Sequence, residues 1–346
     1  MHDGLGFAII GSGVIGHTHA EAISSIKGAH VAMVCSRTLE KASELAEQYG
    51  AAWCTDFREA VVHPEVEAVS VCTPSGLHAK PALAALGAGR HVLVEKPMEI
   101  TCEKADQMIA AADRAHRWLG VIFQNRFNPA VQYLKEAIDA GKLGQLTLGE
   151  ASIKWYRSPD YFRSAGWRGT WALDGGGALM NQGIHFVDLL LWLMGPVQSV
   201  TAYVDTLLHP IEVEDTLVAS LRFRCGALGV IEATTTAFPH LSGRLEIAGT
   251  RGSVRIEDGQ LRFKYFADED GPDVDLYGLR SDQGWRAAQE VSLTGEGGHA
   301  AQIADFVSAI RENRPPAVNG REGRRALALI IAIYEAARTG REVNVS

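Results

Sequence analysis

The chain has 346 residues, 47% hydrophobic and 21% charged, with a net charge of -8 at pH 7. That length supports about two domains, each with its own core, and the composition is that of a water-soluble globular protein. An acidic balance without a Lys/Arg cluster argues against a nucleic-acid partner, whose phosphates require a basic footprint; no apolar run approaches the roughly 18 residues of a membrane span, and no signal-peptide pattern precedes the first strand.

From the N-terminus, strand-like runs at Phe7–Ile10, His30–Cys35, Glu67–Cys72, His91–Val94 and Trp118–Phe123 alternate with helical patterns. The helical patterns lie near Val14–Ser25, Leu39–Tyr49, Lys80–Leu86 and Glu103–His116. Each parallel strand pair needs a crossover helix, so this alternation predicts a doubly wound parallel sheet. After a helix at Pro129–Ala140 the pattern changes. Strand-like runs follow one another at Leu146–Tyr156, Val197–Val204, Thr216–Phe223, Ala227–Thr235, Leu245–Ile247, Ser253–Glu257 and Leu261–Phe266. Several alternate apolar and polar residues, as antiparallel strands with one buried face do. Two helices, Ala301–Arg311 and Glu322–Arg338, close the chain, and the polar stretch 267–289 fits no element. Cys35, Cys54, Cys72, Cys102 and Cys225 are scattered, with no C-x-x-C pair. They read as reduced thiols of a cytoplasmic protein, with no metal site.

Gly11-Ser12-Gly13-Val14-Ile15-Gly16 is a G-x-G-x-x-G placed after a strand and opening a helix. The first glycine permits the tight turn, the second lets a pyrophosphate approach the backbone, and the third allows close helix–strand packing. The phosphates would sit on the unsatisfied N–H groups of the helix N-terminus. About 20 residues on, where an NAD-preferring fold places an acidic residue, the chain has Ser36 and Arg37. Neither repels a 2′-phosphate and Arg37 can bind one, so NADP(H) is favoured over NAD(H); stacking of Arg37 on adenine or exposure to solvent is the plainer alternative. The fold class is therefore α/β: a Rossmann domain over 1–126, then an α/β domain with a mainly antiparallel open sheet over 127–346.

Five motifs in order, "GSGVIG", "VCTPSGLH" (Val71–His78), "HVLVEKPM" (His91–Met98), "FQNRFNP" (Phe123–Pro129) and "DGGGALMNQGIHFVDLL" (Asp174–Leu190), span nearly the whole chain. On them the chain resembles the Gfo/Idh/MocA family of glucose–fructose oxidoreductase- and inositol dehydrogenase-like enzymes. The resemblance implies reversible hydride transfer between a nicotinamide and the hydroxyl or keto carbon of a sugar, sugar derivative or cyclitol. It also implies a homodimer or homotetramer built through the second-domain sheet. It makes Lys96 and His185 the catalytic residues. It places Cys72, Thr73, Pro74, His78, Glu95, Lys96 and Asn125 beside the cofactor, with Trp167 and Arg168 reaching toward cofactor or substrate.

The residues themselves bear this out in part. Lys96 follows a strand at the edge where open α/β sheets bind ligands, and an ammonium can polarise a carbonyl or alkoxide. Asn181, His185 and Asp188 recur at i, i+4 and i+7, one face of one helix. His185 reads as an acid–base residue or as a core histidine satisfied by a carbonyl; a metal reading lacks a third ligand. Arg126, Arg163, Arg168, Asn181 and His299 are candidates for gripping substrate alongside Lys96 and His185. Many members of the family carry Asp where this chain has Asn181, which orients a ring without adding charge. Two other classes remain open: a redox-neutral NAD-dependent glycoside hydrolase of the same fold, and a non-catalytic NADP sensor. A bilin or imine reductase fits the helix around His185 poorly.

Overall fold

The computed structural model describes residues 4–270 and 297–345. Contacts among these residues form one unit of 4–124, 167–176 and 297–327 and another of 125–166, 177–270 and 328–345.

The first unit runs β1 (Leu5–Ile10), α1 (Val14–Ser25), β2 (Ala29–Cys35), α2 (Leu39–Glu47), β3 (Ala52–Cys54), α3 (Phe57–Val62), β4 (Ala68–Val71), α4 (Ala79–Gly87), β5 (His91–Val94), α5 (Cys102–Ala115) and β6 (Leu119–Val121). Its six strands are all parallel, in the order β3-β2-β1-β4-β5-β6. The order reverses between β1 and β4, which opens a crevice beyond their C-terminal ends. Phe7, Ile9, Ile23, Leu45 and Leu93 form a buried core with Ile303, Phe306 and Val307. Nothing in the sequence pattern marks β3 or α3. β3 is a three-residue edge strand with two exposed positions, too short for a period, and α3 is announced only by its N-cap, Asp56, which accepts the Arg58 N–H.

The second unit begins with α6 (Pro129–Asp139), β7 (Leu146–Lys154) and α7 (Pro159–Arg163). Then come α8 (Ile184–Met194), β8 (Val197–Asp205), β9 (Thr216–Phe223), β10 (Leu228–Thr234), β11 (Gly243–Gly249), β12 (Gly252–Glu257), β13 (Gln260–Phe266) and α9 (Ala267–Asp270). The chain closes with α10 (Gly298–Glu312), which belongs to the first unit, then α11 (Gly320–Thr339), whose residues to Leu327 also belong to the first unit, and β14 (Val343–Asn344). The eight strands lie in the order β13-β12-β11-β7-β10-β9-β8-β14. Every pair is antiparallel except β7 with β10, which is parallel. α8 covers one face of this sheet, where Gly149 of β7 leaves room for Leu190 and Met194.

Two sequence expectations change here. The segment before α8 is not α-helical: Ala178–Gly183 forms a π-helical turn, so Asn181 stands in that turn and only His185 and Asp188 share the α-helix. The unassigned stretch 267–289 starts with α9, and the rest of it lies outside the described residues. Among the described residues, no helix is long and apolar enough to cross a membrane.

Candidate active site

The glycine turn fits a dinucleotide. Gly11 has φ +114°, and a Cβ there would lie 2.4 Å from the Cys72 carbonyl oxygen. A Cβ on Gly16 would meet the Gly11 carbonyl oxygen at 2.0 Å, whereas Gly13 faces open space. Gly13 is also the N-cap of α1, a helix without a side-chain cap or an acidic residue in its first turn. Its first N–H groups and positive dipole end are thus left for an anion. At the end of β2, Ser12 donates to Ser36 Oγ at 2.8 Å, and Arg37 is exposed beside it.

Lys96 is half-buried and stands two residues beyond the last residue of β5, at the C-terminal edge of the parallel sheet, with a cis peptide bond to Pro97. Its N–H donates to Oε2 of Glu95 at 3.0 Å. Glu95 is buried, and its Oε1 accepts His19 Nε2 at 3.0 Å and lies 3.6 Å from His299 Nε2. The Glu95 carboxyl lies well below the ordinary carboxylate range: burial opposes the charge, and the two imidazoles more than offset it. His19 is held above its ordinary value although burial works against its charge, because Cys72 and Glu95 lie beside it. Its Nδ1 is 2.6 Å from Ser70 Oγ.

The sequence pattern does not single out His19, nor does it foretell that Glu95, expected beside the cofactor, pairs with it. The signal for it, a histidine on the inner face of the helix behind a glycine turn, has no local meaning until Glu95 is brought to it. His19, Glu95 and His299 are also the one group of three or more His, Cys, Asp and Glu residues, among those described, whose donor atoms lie within 4.8 Å of one another. The 3.0 Å contact in it is a hydrogen bond. His78 is also expected beside the cofactor. It is buried, with ring nitrogens 2.9 Å from the Pro97 carbonyl and 2.7 Å from the Thr73 carbonyl, and burial lowers its pKa. It tethers the loops after β4 and β5 to each other.

In the second unit, His185 sits in the first turn of α8 and Asn181 in the π turn before it, both half-buried. A buried carboxylate holds that turn. Glu214 accepts the Gly177 and Leu179 N–H groups at 2.8 Å each, and the Tyr334 hydroxyl donates to it at 2.9 Å. Its burial pushes its pKa up to about 7. Gln182, beside Asn181, donates to the Asn181 side chain at 3.1 Å and to the Tyr161 hydroxyl at 2.7 Å, and accepts from Arg157 at 2.6 Å.

Arg126, expected to grip substrate, is instead buried with Nε and one Nη on Asp188, at 2.8 and 2.6 Å. The guanidinium also lies over Trp192, 5.3 Å from the ring centre. This pair occupies the Asp188 carboxylate that a metal reading of the helix would have used. Arg163 stands exposed and paired with Asp160 on the short α7. Arg168 lies over its neighbour Trp167, 4.8 Å from the ring centre, in the first unit. Asn125 falls in the one-turn helix Gln124–Phe127.

Residues 5–123 match the oxidoreductase family with an NAD-binding Rossmann fold, and residues 131–255 match the GFO/IDH/MocA C-terminal domain. The WlbA dehydrogenase from Bordetella pertussis, solved with NADH and UDP-GlcNAcA, is 36% identical with a TM-score of 0.90. That likeness covers 99% of this chain and 98% of that one. A myo-inositol 2-dehydrogenase of Thermotoga maritima is 28% identical over 345 residues, 97% of each chain. An uncharacterised oxidoreductase of Synechocystis is 31% identical over 271 residues, 74% of this chain and 72% of its own. With a glycine turn shaped for a dinucleotide and both family models matched in order, the chain belongs to the Gfo/Idh/MocA family of oxidoreductases and binds NAD(H) through its first unit.

Proposed function

We propose that the protein interconverts a hydroxyl and a keto group on a sugar, with a nucleotide-linked sugar as the first substrate to test and NADP(H) favoured over NAD(H). The observation that carries the reading is the place of Lys96, at the C-terminal edge of the parallel sheet beside the strand-order reversal, where such sheets bind ligands. The full-length likeness to a dehydrogenase solved with NADH and UDP-GlcNAcA supports the substrate class. Absence of an acidic residue at Ser36-Arg37 supports the phosphorylated cofactor.

The bound nicotinamide supplies the hydride acceptor or donor. In the oxidising direction His185 takes the hydroxyl proton, and the Lys96 ammonium donates a hydrogen bond to the oxygen as its negative charge develops. Asn181 contributes hydrogen-bonding capacity without charge, so the proton is handled by His185 and Lys96. Thr73, Pro74 and Cys72 line the cofactor side, and Trp167, Arg168 and Asn125 are further candidates there.

Five free cysteines are in keeping with a cytoplasmic setting. The second-unit sheet turns Leu148, Val218, Leu228 and Tyr203 outward on the face opposite α8, which supports pairing of two copies through that face.

The test is nicotinamide absorbance over time with NADH, NADPH and their oxidised forms against free sugars, inositols, glycosides and nucleotide sugars. Turnover that falls about 10²–10⁴-fold in both Lys96→Ala and His185→Ala, with cofactor binding intact, is the expected result. Tight cofactor binding with no turnover on any sugar would overturn it.

A further inference from the structure

Glu95 is bound by groups from separate parts of the first unit. His19 reaches it from α1, His299 from α10, and the backbone of Lys96 from the end of β5 itself. His19 is wholly buried and has both ring nitrogens engaged, one with Glu95 and the other with Ser70 on β4. The two links do different work. The Ser70 contact anchors the ring to the sheet, while the Glu95 contact fixes a carboxylate whose second oxygen holds the Lys96 N–H.

Without His19 at 3.0 Å, Glu95 keeps only the more distant imidazole of His299 at 3.6 Å; an under-paired buried carboxylate reorganises or takes up a proton, and the Lys96 N–H then loses a charged acceptor. On the far side, His78 secures Pro97 through its carbonyl. Lys96 is thereby bracketed by two buried histidines, neither of which needs to touch substrate. α1 is also the helix whose N-terminus is open to an anion, so the same element that receives the cofactor carries the histidine that fixes Lys96 through Glu95.

We propose that His19 is a positioning residue: through Glu95 it fixes the backbone of Lys96 and ties it to the helix that begins at the glycine turn. The proposal rests on the reading of Lys96 as catalytic in the oxidoreductase described above.

Two polar substitutions separate the two links. In His19→Gln an amide N–H stands near the former Nε2 and keeps the bond to Glu95; His19→Asn reaches only toward Ser70. Each full-length variant is titrated with NADH by fluorescence. Lys96 is then labelled with isotopic acetic anhydride at fixed pH and read by mass spectrometry, with the other lysines as internal controls. His19→Gln is expected to match the parent, whereas His19→Asn changes Lys96 labelling by about tenfold, the equivalent of one pKa unit, at unchanged labelling elsewhere. With a turned-over sugar in hand, kcat of His19→Asn falls by about 10–100-fold while NADH affinity stays within about threefold.

Equal labelling in both variants would overturn the proposal. So would insolubility of both, which would make His19 a core residue and no more. Labelling needs no substrate. A clear Gln–Asn difference without any sugar turnover would therefore leave this positioning intact and sink the sugar reading instead.

Discussion

Arg126 holds Asp188 through two hydrogen bonds of 2.8 and 2.6 Å, three positions beyond His185 on α8. Both side chains are buried, so the pair is a fork of charge-assisted bonds shielded from water. Charge removed from one end leaves the other stranded. Asp188→Ala should destabilise the protein by about 3–5 kcal/mol, more than a cavity of that size alone. A double replacement, Arg126→Met with Asp188→Leu, should recover most of the loss. Chemical unfolding of the three proteins checks this; an Asp188→Ala loss below that range would show that the pair is not what fixes α8 under His185.

The cofactor choice turns on Arg37. If it binds a 2′-phosphate through charge-assisted bonds, Arg37→Ala should weaken NADPH by about 10–100-fold and leave NADH within about threefold. Fluorescence titration with both cofactors reads the ratio directly. Equal losses would assign Arg37 to adenine or to solvent.

Glu214 gives a pH dependence of defined sign. Its pKa in the folded protein is raised from 4.5 to about 7 by burial, so the folded state holds a proton that the unfolded chain releases. The group's contribution to stability is therefore fully present below about pH 4.5 and is lost as pH rises through 7. Glu214→Gln keeps the size and removes the titration. The stability of the parent relative to this variant should fall by up to about 3 kcal/mol between pH 5 and 8. Denaturant midpoints at several pH values measure it, and a flat difference would contradict the buried titration.

His91 works in the opposite direction. Burial, with Arg117 beside it, lowers its pKa to about 4, and its Nδ1 accepts the Trp118 N–H at 3.0 Å. The folded state prefers the neutral ring, so this stabilisation is present above about pH 6.5 and is lost as pH falls toward 4. Thermal scans at pH 7.5 and pH 5 should show a larger acid-side drop for the parent than for His91→Gln. Equal drops would place the acid sensitivity elsewhere.

The first unit's parallel sheet was legible because its signals are local. A glycine turn, an apolar strand before it and an amphipathic helix after it can each be read within a dozen residues, and so can the lysine after β5. What escaped depends on distant partners. His19 acquires its meaning from Glu95, 76 positions away, and Arg126 from Asp188, 62 positions away. The π turn at Ala178–Gly183 escaped for another reason: it differs from an α-turn by one residue in the hydrogen-bond ladder, and apolar spacing does not report that over six positions. β3 had too few buried residues to show any period.

The closing of β6 by residues from the far end of the chain sets a timetable for biosynthesis. Gln302 donates to the Val121 carbonyl and accepts the Phe123 N–H, and Val121 donates to the Val318 carbonyl. Once synthesis has passed residue 124 but not yet reached residue 302, every strand of the parallel sheet exists but its last edge has no cover. An open edge is a template for pairing with another nascent chain. The interval before residue 302 emerges, some 180 residues later, is thus the stretch of translation in which this edge stays open to mispairing.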